Sequence, residues 1–147
     1  MENVFVVDSQ SLSTGIALLA IYATGLVAKG TSVDEVVKLT TEKTEKLRVS
    51  FVLDQLKYMH KGGRCNAVTL LGANLLKIKP QIVVSNGKMV VGKKYRGVLS
   101  KVISSYADDV IAEMQDPDKS IIFITHSSSM PEEEKLIEEK LKSAKFE

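Results

Sequence analysis

The chain has 147 residues, of which 44% are hydrophobic and 26% charged, proportions typical of a globular protein able to bury a core. Lys and Arg exceed Asp and Glu by only two, so the overall charge argues neither for nor against a nucleic-acid partner. A single cysteine excludes an intramolecular disulfide, and with only two histidines a structural zinc site is not expected.

The N-terminal third predicts a strand followed by two helices. Val4 to Val7 is a run of β-formers and is typical of a short buried strand. Leu12 to Lys29 is rich in Ala and Leu and predicts a long helix that Gly30 ends. Ser32 to Glu35 forms a capping box that opens a second helix. The start of the sequence lacks signal-peptide features and no apolar stretch is long enough to span a membrane, so we expect a cytoplasmic protein.

The rest of the chain alternates strands and helices. Predicted strands cover Val49 to Leu53, Ile78 to Val84, Lys88 to Gly92 and Ile121 to Thr125. Predicted helices cover 55–60, 67–76, 97–114 and a terminal segment that begins at Pro131 with acidic residues and ends with basic ones. Asn86-Gly87 predicts a hairpin turn, and Pro80 favours an edge position for the strand that contains it. This order predicts an α/β fold with a mixed sheet and flanking helices, divided near Arg48.

Two basic corners are suited to binding an anion. In the first, Gly62 and Gly63 can expose backbone N–H groups, and Arg64 adds a guanidinium beside a predicted helix start. A helix end with solvated cations explains the same residues, and the spacing alone favours that explanation.

The second basic corner is the stretch from Lys93 to Arg96, which places three cations before a predicted helix. Positive charge is unfavourable at a helix N-terminus, so either an anionic ligand or an acidic neighbour should compensate for it. Arg96 is the sharper binding candidate because a guanidinium binds a carboxylate through two hydrogen bonds. The residues alone favour neither explanation.

Residues with catalytic potential are isolated in the sequence. Cys65 and His126 have no evident base or nucleophile to pair with, so an enzyme is not expected. Asp8 and Ser9 follow the first predicted strand, where α/β sheets often bind ligands. N-capping of the next helix is the favoured interpretation of both.

Four stretches resemble the DegV family of bacterial fatty-acid-binding proteins: VVDSQSLSTG, GTSVDEV, FVLDQLKYMHKGGR and LGANLLKIKPQIVVSNGKMVVGKKYRG. The likeness runs in register from Val6 to Arg96 and more loosely through His126. It implies an EDD-type fold with two α/β lobes that hold a long-chain fatty acid between them. It also implies that the protein has no catalytic activity or further cofactor, and that it presents the carboxylate to a partner kinase for phospholipid synthesis.

The resemblance also assigns residues. It implies that Arg96 and Arg64 lie near the carboxylate, and that Leu75, Leu76, Ile78 and Pro80 line the acyl chain. Family members are nearly twice this long, so residues 1–48 correspond to an incomplete first lobe and residues 49–147 to the second. A homodimer through the exposed half of the tunnel is therefore expected.

The alternative is a phosphate- or nucleic-acid-binding module that uses the two basic corners. Nearly balanced charge and the scarcity of aromatic side chains, four Tyr and four Phe, argue against stacking on bases. A nucleic-acid partner is therefore not expected.

Overall fold

The computed structural model describes residues 4–55, 57–63, 78–127 and 131–146. Its helices are α1 (Thr14–Ala28), α2 (Val33–Thr44), α3 (Lys57–Lys61), α4 (Leu99–Glu113) and α5 (Pro131–Ser143). Its strands are β1 (Val49–Val52), β2 (Lys79–Ser85) and β3 (Lys88–Tyr95), which form an antiparallel sheet in the order β1-β2-β3. The predicted α/β class is confirmed. The helix predicted over 67–76 lies outside the described residues.

The chain forms two compact units. The first comprises Met1–Ser50 and Val83–Val90, and the second comprises Phe51–Ile82 and Val91–Glu147. The tip of the β2–β3 hairpin thus belongs to the first unit and its open end to the second. The lobe boundary near Arg48 stays a prediction.

In the first unit, α1 packs against α2 and ends in the motif that the sequence predicts. Gly30 adopts a φ of 77°, its N–H donates to the Val27 carbonyl at 2.9 Å, and the Thr31 N–H donates to the Leu26 carbonyl at 3.2 Å. These two bonds are those of a Schellman motif, which needs a left-handed residue at that position. The helix end at Gly30 is confirmed.

The start of α1 differs from the prediction. The Asp8 carboxylate accepts the Gln10 N–H at 3.0 Å and the Ser9 hydroxyl accepts the Ser11 N–H at 3.3 Å. The helix begins instead after Ser13, whose side chain makes no capping bond. N-capping by Asp8 and Ser9 is therefore wrong, because both side chains close a local turn several residues before the helix.

Two predicted strands are absent from the structure. Val4 to Val7 and Ile121 to Thr125 form no strand, and Val6 is 87% exposed. A run of β-formers becomes a strand only when a neighbour accepts and donates its backbone hydrogen bonds. Neither run belongs to the sheet of the described residues, whose strands are β1, β2 and β3.

The core of the second unit surrounds β2. Its buried apolar side chains come from β2 and the residue before it, from α4 and α5, and from the chain after α5; they are Ile78, Ile82, Val102, Ile103, Ala107, Leu141 and Phe146. Residues 80–82 of β2 are buried on both faces of the strand. A strand covered on both faces holds the centre of a layered α/β unit.

The predicted edge position of Pro80 is wrong, because β2 is the middle strand of the three described strands. The Pro80 carbonyl accepts the Leu53 N–H at 3.3 Å, one residue beyond the end of β1. In an antiparallel strand, the N–H and the carbonyl of one residue point towards the same neighbouring strand. The N–H that Pro80 lacks would therefore point towards the end of β1. The central strand therefore tolerates this proline.

The hairpin and the terminal helix follow the sequence closely. Asn86 and Gly87 adopt φ values of 49° and 70°, the positive pair that a type I′ turn requires. α5 begins at Pro131, with three glutamates in its first turn and Lys140 and Lys142 in its last. Both predictions are confirmed.

Candidate functional site

The candidate site is the open end of the hairpin, defined here as residues 78–80 and 93–96. The two strands run antiparallel from the Asn86-Gly87 turn, so residues far from the turn on each arm come back to the same end. Ile78 is 7% exposed and Pro80 is among the fully buried side chains, while Arg96 follows β3 and is exposed. The hairpin thus places a buried apolar pair and a basic segment at one end of the same element.

An acidic face of α4 neutralises the first cation of this segment. Lys93 Nζ lies 2.8 Å from Asp109 Oδ1 and 2.8 Å from Glu113 Oε1. The hydrogen bond to Asp109, followed by that to Glu113, raises the pKa of the Lys93 ammonium above its usual value. The charge of Lys93 is therefore compensated by acidic neighbours rather than by an anionic ligand.

Tyr95 is fixed to the same carboxylate. Its hydroxyl donates to Asp109 Oδ2 at 2.8 Å, and its ring meets Tyr106 edge to face with 6.5 Å between centroids. Burial, followed by the hydrogen bond to Asp109, raises the pKa of the Tyr95 phenol. Conversely, hydrogen bonds from Lys93 and then from Tyr95 hold the pKa of the Asp109 carboxyl below its usual value.

Lys94 and Arg96 are the cations that α4 leaves available. Successive side chains of a strand point to opposite faces. Because Lys93 and Tyr95 both reach Asp109, Lys94 points to the other face. Arg96, two residues after Lys94, is expected on the same face as Lys94. Both are exposed, and neither side chain makes a hydrogen bond or ion pair with another residue of the described ranges. A guanidinium without a protein partner can take a carboxylate or a phosphate through two parallel hydrogen bonds.

A fourth cation at this end is already paired. Lys79 Nζ forms an ion pair with the Asp54 carboxylate, which follows β1 by two residues. The pair joins the start of β2 to the end of β1, so Lys79 supports the sheet rather than a solvent anion.

The other sequence candidates fall into two groups. Arg64, Cys65, Leu75 and Leu76 lie outside the described residues. His126 Nδ1 lies 3.2 Å from Glu134 Oε1, so its contact is with an acid of α5. In the described ranges no group of His, Cys, Asp and Glu side chains is arranged to hold a metal ion.

Sequence reasoning missed the acidic partners of the basic segment. Asp109 and Glu113 stand four residues apart on α4 and therefore share one face. That spacing was a signal for an acidic helix face, but pairing it with β3 requires knowing that the helix packs back onto the hairpin.

A shallow groove between α4 and α5, of about 470 Å³, was also not foreseen. It is lined by Ile111, Leu136 and Ala144 and by the ion pair of Lys140 with Asp108. None of the predicted site residues lines it. No helix in the described part combines the length and hydropathy needed to cross a bilayer.

Comparison with known proteins gives a family match over the whole chain. The profile described as an uncharacterised protein of the DegV family matches residues 1–147. A DegV domain-containing protein of Staphylococcus aureus is 31% identical over 135 residues, which are 91% of this chain and 48% of that protein. The chain therefore spans about half the length of the curated relatives it matches.

Solved structures agree with this match. A DegV family protein from Ruminococcus gnavus, solved with vaccenic acid, is 25% identical, with a TM-score of 0.74 over 95% of this chain and 49% of that one. The fatty acid kinase B3 protein of Streptococcus pneumoniae, loaded with linoleic acid, is 29% identical, with a TM-score of 0.62 over 74% of this chain and 38% of that one. On the strength of the profile match along its whole length, this chain belongs to the DegV family.

Proposed function

We propose that this chain takes part in binding a long-chain fatty acid and that Arg96 receives the carboxylate. The observation that carries the proposal is the exposed Arg96 guanidinium, which has no partner among the described residues and stands at the hairpin open end. Relatives of the same family hold vaccenic acid and linoleic acid, which supports a carboxylate as the anion.

The charge distribution at the hairpin open end supports this assignment. Lys93 and Lys79 are engaged by acidic side chains, so an incoming anion meets Lys94 and Arg96. One carboxylate matches one guanidinium in charge and in geometry, and Lys94 adds attraction without competing for the same hydrogen bonds.

The acyl chain is proposed to lie against the apolar residues of the same lobe. Leu75, Leu76, Ile78 and Pro80 are the proposed lining residues. Ile78 is 7% exposed and Pro80 is fully buried in the core of the second unit, so an acyl chain reaches these two only if the side chains that cover them move aside. Burial of each methylene contributes about 0.8 kcal/mol, so tight binding needs most of the chain covered.

The proposed carrier presents its ligand rather than transforming it. The relative from Streptococcus pneumoniae is named as a fatty acid kinase protein, which supports a kinase as the partner that acts on the carboxylate. Acyl phosphate made by such a kinase would enter phospholipid synthesis. A reconstitution with a kinase catalytic protein and ATP tests this step, and acyl phosphate should form only when carrier and fatty acid are both present.

Displacement of a fluorescent long-chain fatty acid tests the site itself. Arg96→Ala should weaken binding about tenfold, the effect of losing one charge-assisted hydrogen-bonding group. Arg48→Ala is the matched control, because the Arg48 guanidinium already donates to the carbonyls of Glu45 and Leu47. Equal affinity of the Arg96→Ala variant and the unmodified chain would refute the assignment.

Phosphate or nucleic-acid binding has less support. It needs both basic corners, and at the Lys93–Arg96 corner one cation is neutralised by Asp109 and Glu113. It predicts an affinity for RNA that falls steeply with salt, which a filter-binding series measures directly.

A further inference from the structure

The basic segment at the hairpin open end lies beside a group of charges that sums to a negative value. Lys93 Nζ contacts two carboxylates, Asp109 Oδ1 at 2.8 Å and Glu113 Oε1 at 2.8 Å. Two carboxylates against one ammonium leave one net negative charge on this group, which we call the charge triad. The hydrogen bonds that raise the pKa of Lys93 and lower the pKa of Asp109 keep both side chains ionised at neutral pH.

The charge triad is in contact with solvent. The side chains of Lys93, Asp109 and Glu113 are 46%, 34% and 53% exposed. Exposed ion pairs contribute little to the free energy of unfolding. The second acid therefore changes the electrostatic potential at this end of the hairpin more than it changes the stability of the fold.

Arg96 lies within reach of this potential. It follows Lys93 by three residues, which is about 10 Å along an extended chain. Asp109, Glu113 and residues 93–96 belong to the same compact unit, so the packing of α4 on the hairpin fixes the separation. The Debye length is about 30 Å at 0.01 M salt, so in dilute buffer an anion bound to Arg96 is repelled by the triad.

The strength of this repulsion depends on the charge of the ligand. At about 10 Å, each additional negative charge on the ligand lowers its affinity by a factor of about two to four, for effective dielectric constants of about 80 down to about 40. A carboxylate carries one negative charge, whereas a phosphate monoester carries nearly two above its second pKa of about 6. The triad therefore weakens the binding of a phosphate headgroup more than the binding of a carboxylate.

We propose that Asp109 and Glu113 are specificity-determining residues, which act against a doubly charged headgroup at the hairpin open end relative to a singly charged one. The inference rests on the proposed fatty-acid site and names the ligand charge that this site selects against. Neither acid contacts the ligand. Both act through their charge and through Lys93, which they hold on the face of β3 opposite to Lys94.

This selection bears on the reaction of the proposed kinase partner. Transfer of the terminal phosphoryl group of ATP to a carboxylate oxygen, with ADP as the leaving group, raises the charge of the headgroup from one to about two. The two acids therefore favour retention of the fatty acid and release of its phosphorylated product.

Displacement of a bound fluorescent fatty acid measures the selection. Hexadecyl sulfate and hexadecyl phosphate have the same chain and a tetrahedral headgroup, and at about pH 8 they differ mainly in charge. Both are used below the concentrations at which they form micelles. Asp109→Asn and Glu113→Gln should each raise the affinity for the phosphate relative to the sulfate about two- to fourfold in about 0.01 M salt. The change should disappear in 1 M salt, where the Debye length is about 3 Å.

Lys93→Met distinguishes an effect of charge from an effect of structure. It breaks the ion pair that Asp109→Asn also breaks, but it leaves two uncompensated carboxylates, so the ratio should fall about two- to fourfold. A purely structural role predicts that both variants change the ratio in the same direction. Asp108→Asn is the matched control, because it removes the same charge from α4 at a side chain that pairs with Lys140 of α5. It should change the ratio by no more than about 1.5-fold.

Failure of this inference is distinguishable from failure of the proposed function. If the ligands bind but the ratio does not respond to Asp109→Asn and Glu113→Gln, or responds equally to Asp108→Asn, the inference is overturned and the fatty-acid site stands. If the unmodified chain binds no fatty acid, the proposed function fails and the inference fails with it. Circular dichroism establishes that each variant is folded. Glu113→Gln keeps both contacts of Asp109 and provides the measurement if Asp109→Asn does not fold.

Discussion

Tyr95 donates a 2.8 Å hydrogen bond to Asp109 Oδ2, while Lys93 lies 2.8 Å from the other oxygen of the same carboxylate. One side chain of α4 thus holds two residues of β3, immediately before Arg96 in the chain. The cluster of Lys93, Tyr95 and Asp109 fixes the hairpin open end. It also neutralises the Lys93 ammonium, which would otherwise compete with Arg96 for an anion.

Removal of the Tyr95 hydroxyl should destabilise the fold. Tyr95→Phe leaves one oxygen of the Asp109 carboxylate without its donor, which costs about 1–2 kcal/mol in a partly buried site. Tyr22→Phe is the matched control, because the Tyr22 ring sits under Lys43 and its hydroxyl has no hydrogen-bond partner in the described ranges. Urea denaturation of both variants measures the difference, and equal loss in the two would count against the Asp109 bond.

The cluster should also make stability depend on pH at the acid end. The folded-state pKa of Asp109 is lower than its ordinary value of 3.8, so the stabilisation is present above that pH. It is lost as the pH falls through the lowered value, since the unfolded chain then binds the proton more readily. Urea midpoints from pH 6 downwards should fall less steeply for Asp109→Asn than for the unmodified chain.

At alkaline pH the stability conferred by the cluster falls as the pH rises, the opposite of its behaviour at acid pH. Lys93 and Tyr95 have folded-state pKa values above their ordinary 10.5 and 10.0, so their contribution is present below about pH 10. It is lost as the pH rises further, because the folded chain holds these protons more tightly than the unfolded chain. Tyr95→Phe should therefore flatten the alkaline limb, and an unchanged alkaline limb would contradict the cluster.

Two glycines of α1 should respond in opposite directions to alanine. At Gly15 an added methyl would overlap Ser11 Oγ and lie 2.7 Å from Val49 Cγ2, whereas at Gly25 it would meet nothing within 4 Å. Gly15→Ala should destabilise by about 1–3 kcal/mol through overpacking. Gly25→Ala should stabilise by about 0.5–1 kcal/mol through helix propensity. Denaturation at one protein concentration compares them, and a stabilised Gly15→Ala variant would show that Gly15 is not tightly packed.

A buried hydroxyl in α2 offers a stabilising change. Thr40 is 5% exposed and its Oγ1 has no hydrogen-bond partner among the described residues. Thr40→Val removes an unpaired polar group at nearly constant shape and should stabilise by about 1 kcal/mol. Thr41→Val is the control, because the Thr41 hydroxyl donates to the Val37 carbonyl at 2.8 Å and is exposed. A lower denaturation midpoint for Thr40→Val would show that the Thr40 hydroxyl makes a stabilising hydrogen bond.

The elements that the sequence predicted well are those specified by local chemistry. Asn86-Gly87 supplies the positive φ values of a tight turn, and Gly30 supplies the left-handed residue of a helix end. Neither needs a distant partner. Such signals can be read from a few consecutive residues.

The failures depend on contacts that are distant in sequence. Val4 to Val7 and Ile121 to Thr125 have the composition of strands, but a strand also needs a neighbour, which composition does not reveal. Pro80 was misplaced for a related reason: the position of β1 decides whether a missing N–H matters.

The candidate site was only partly predictable. Arg96 could be selected because of guanidinium chemistry, but whether it stays unpaired depends on which cations Asp109 and Glu113 engage. Those acids are 13 and 17 residues further along the chain, and only the packing of α4 on the hairpin brings them to Lys93. A sequence therefore predicts which residues can bind a ligand more readily than it predicts which of them are already paired with other residues of the protein.

Mass spectrometry of lipid extracted from the purified, denatured chain tests the central claim most directly. After incubation with linoleic or vaccenic acid and removal of the excess, the unmodified chain and Arg48→Ala should retain a long-chain fatty acid. Arg96→Ala should retain much less of it. Absence of retained fatty acid from the unmodified chain, or equal retention by Arg96→Ala, would contradict the account.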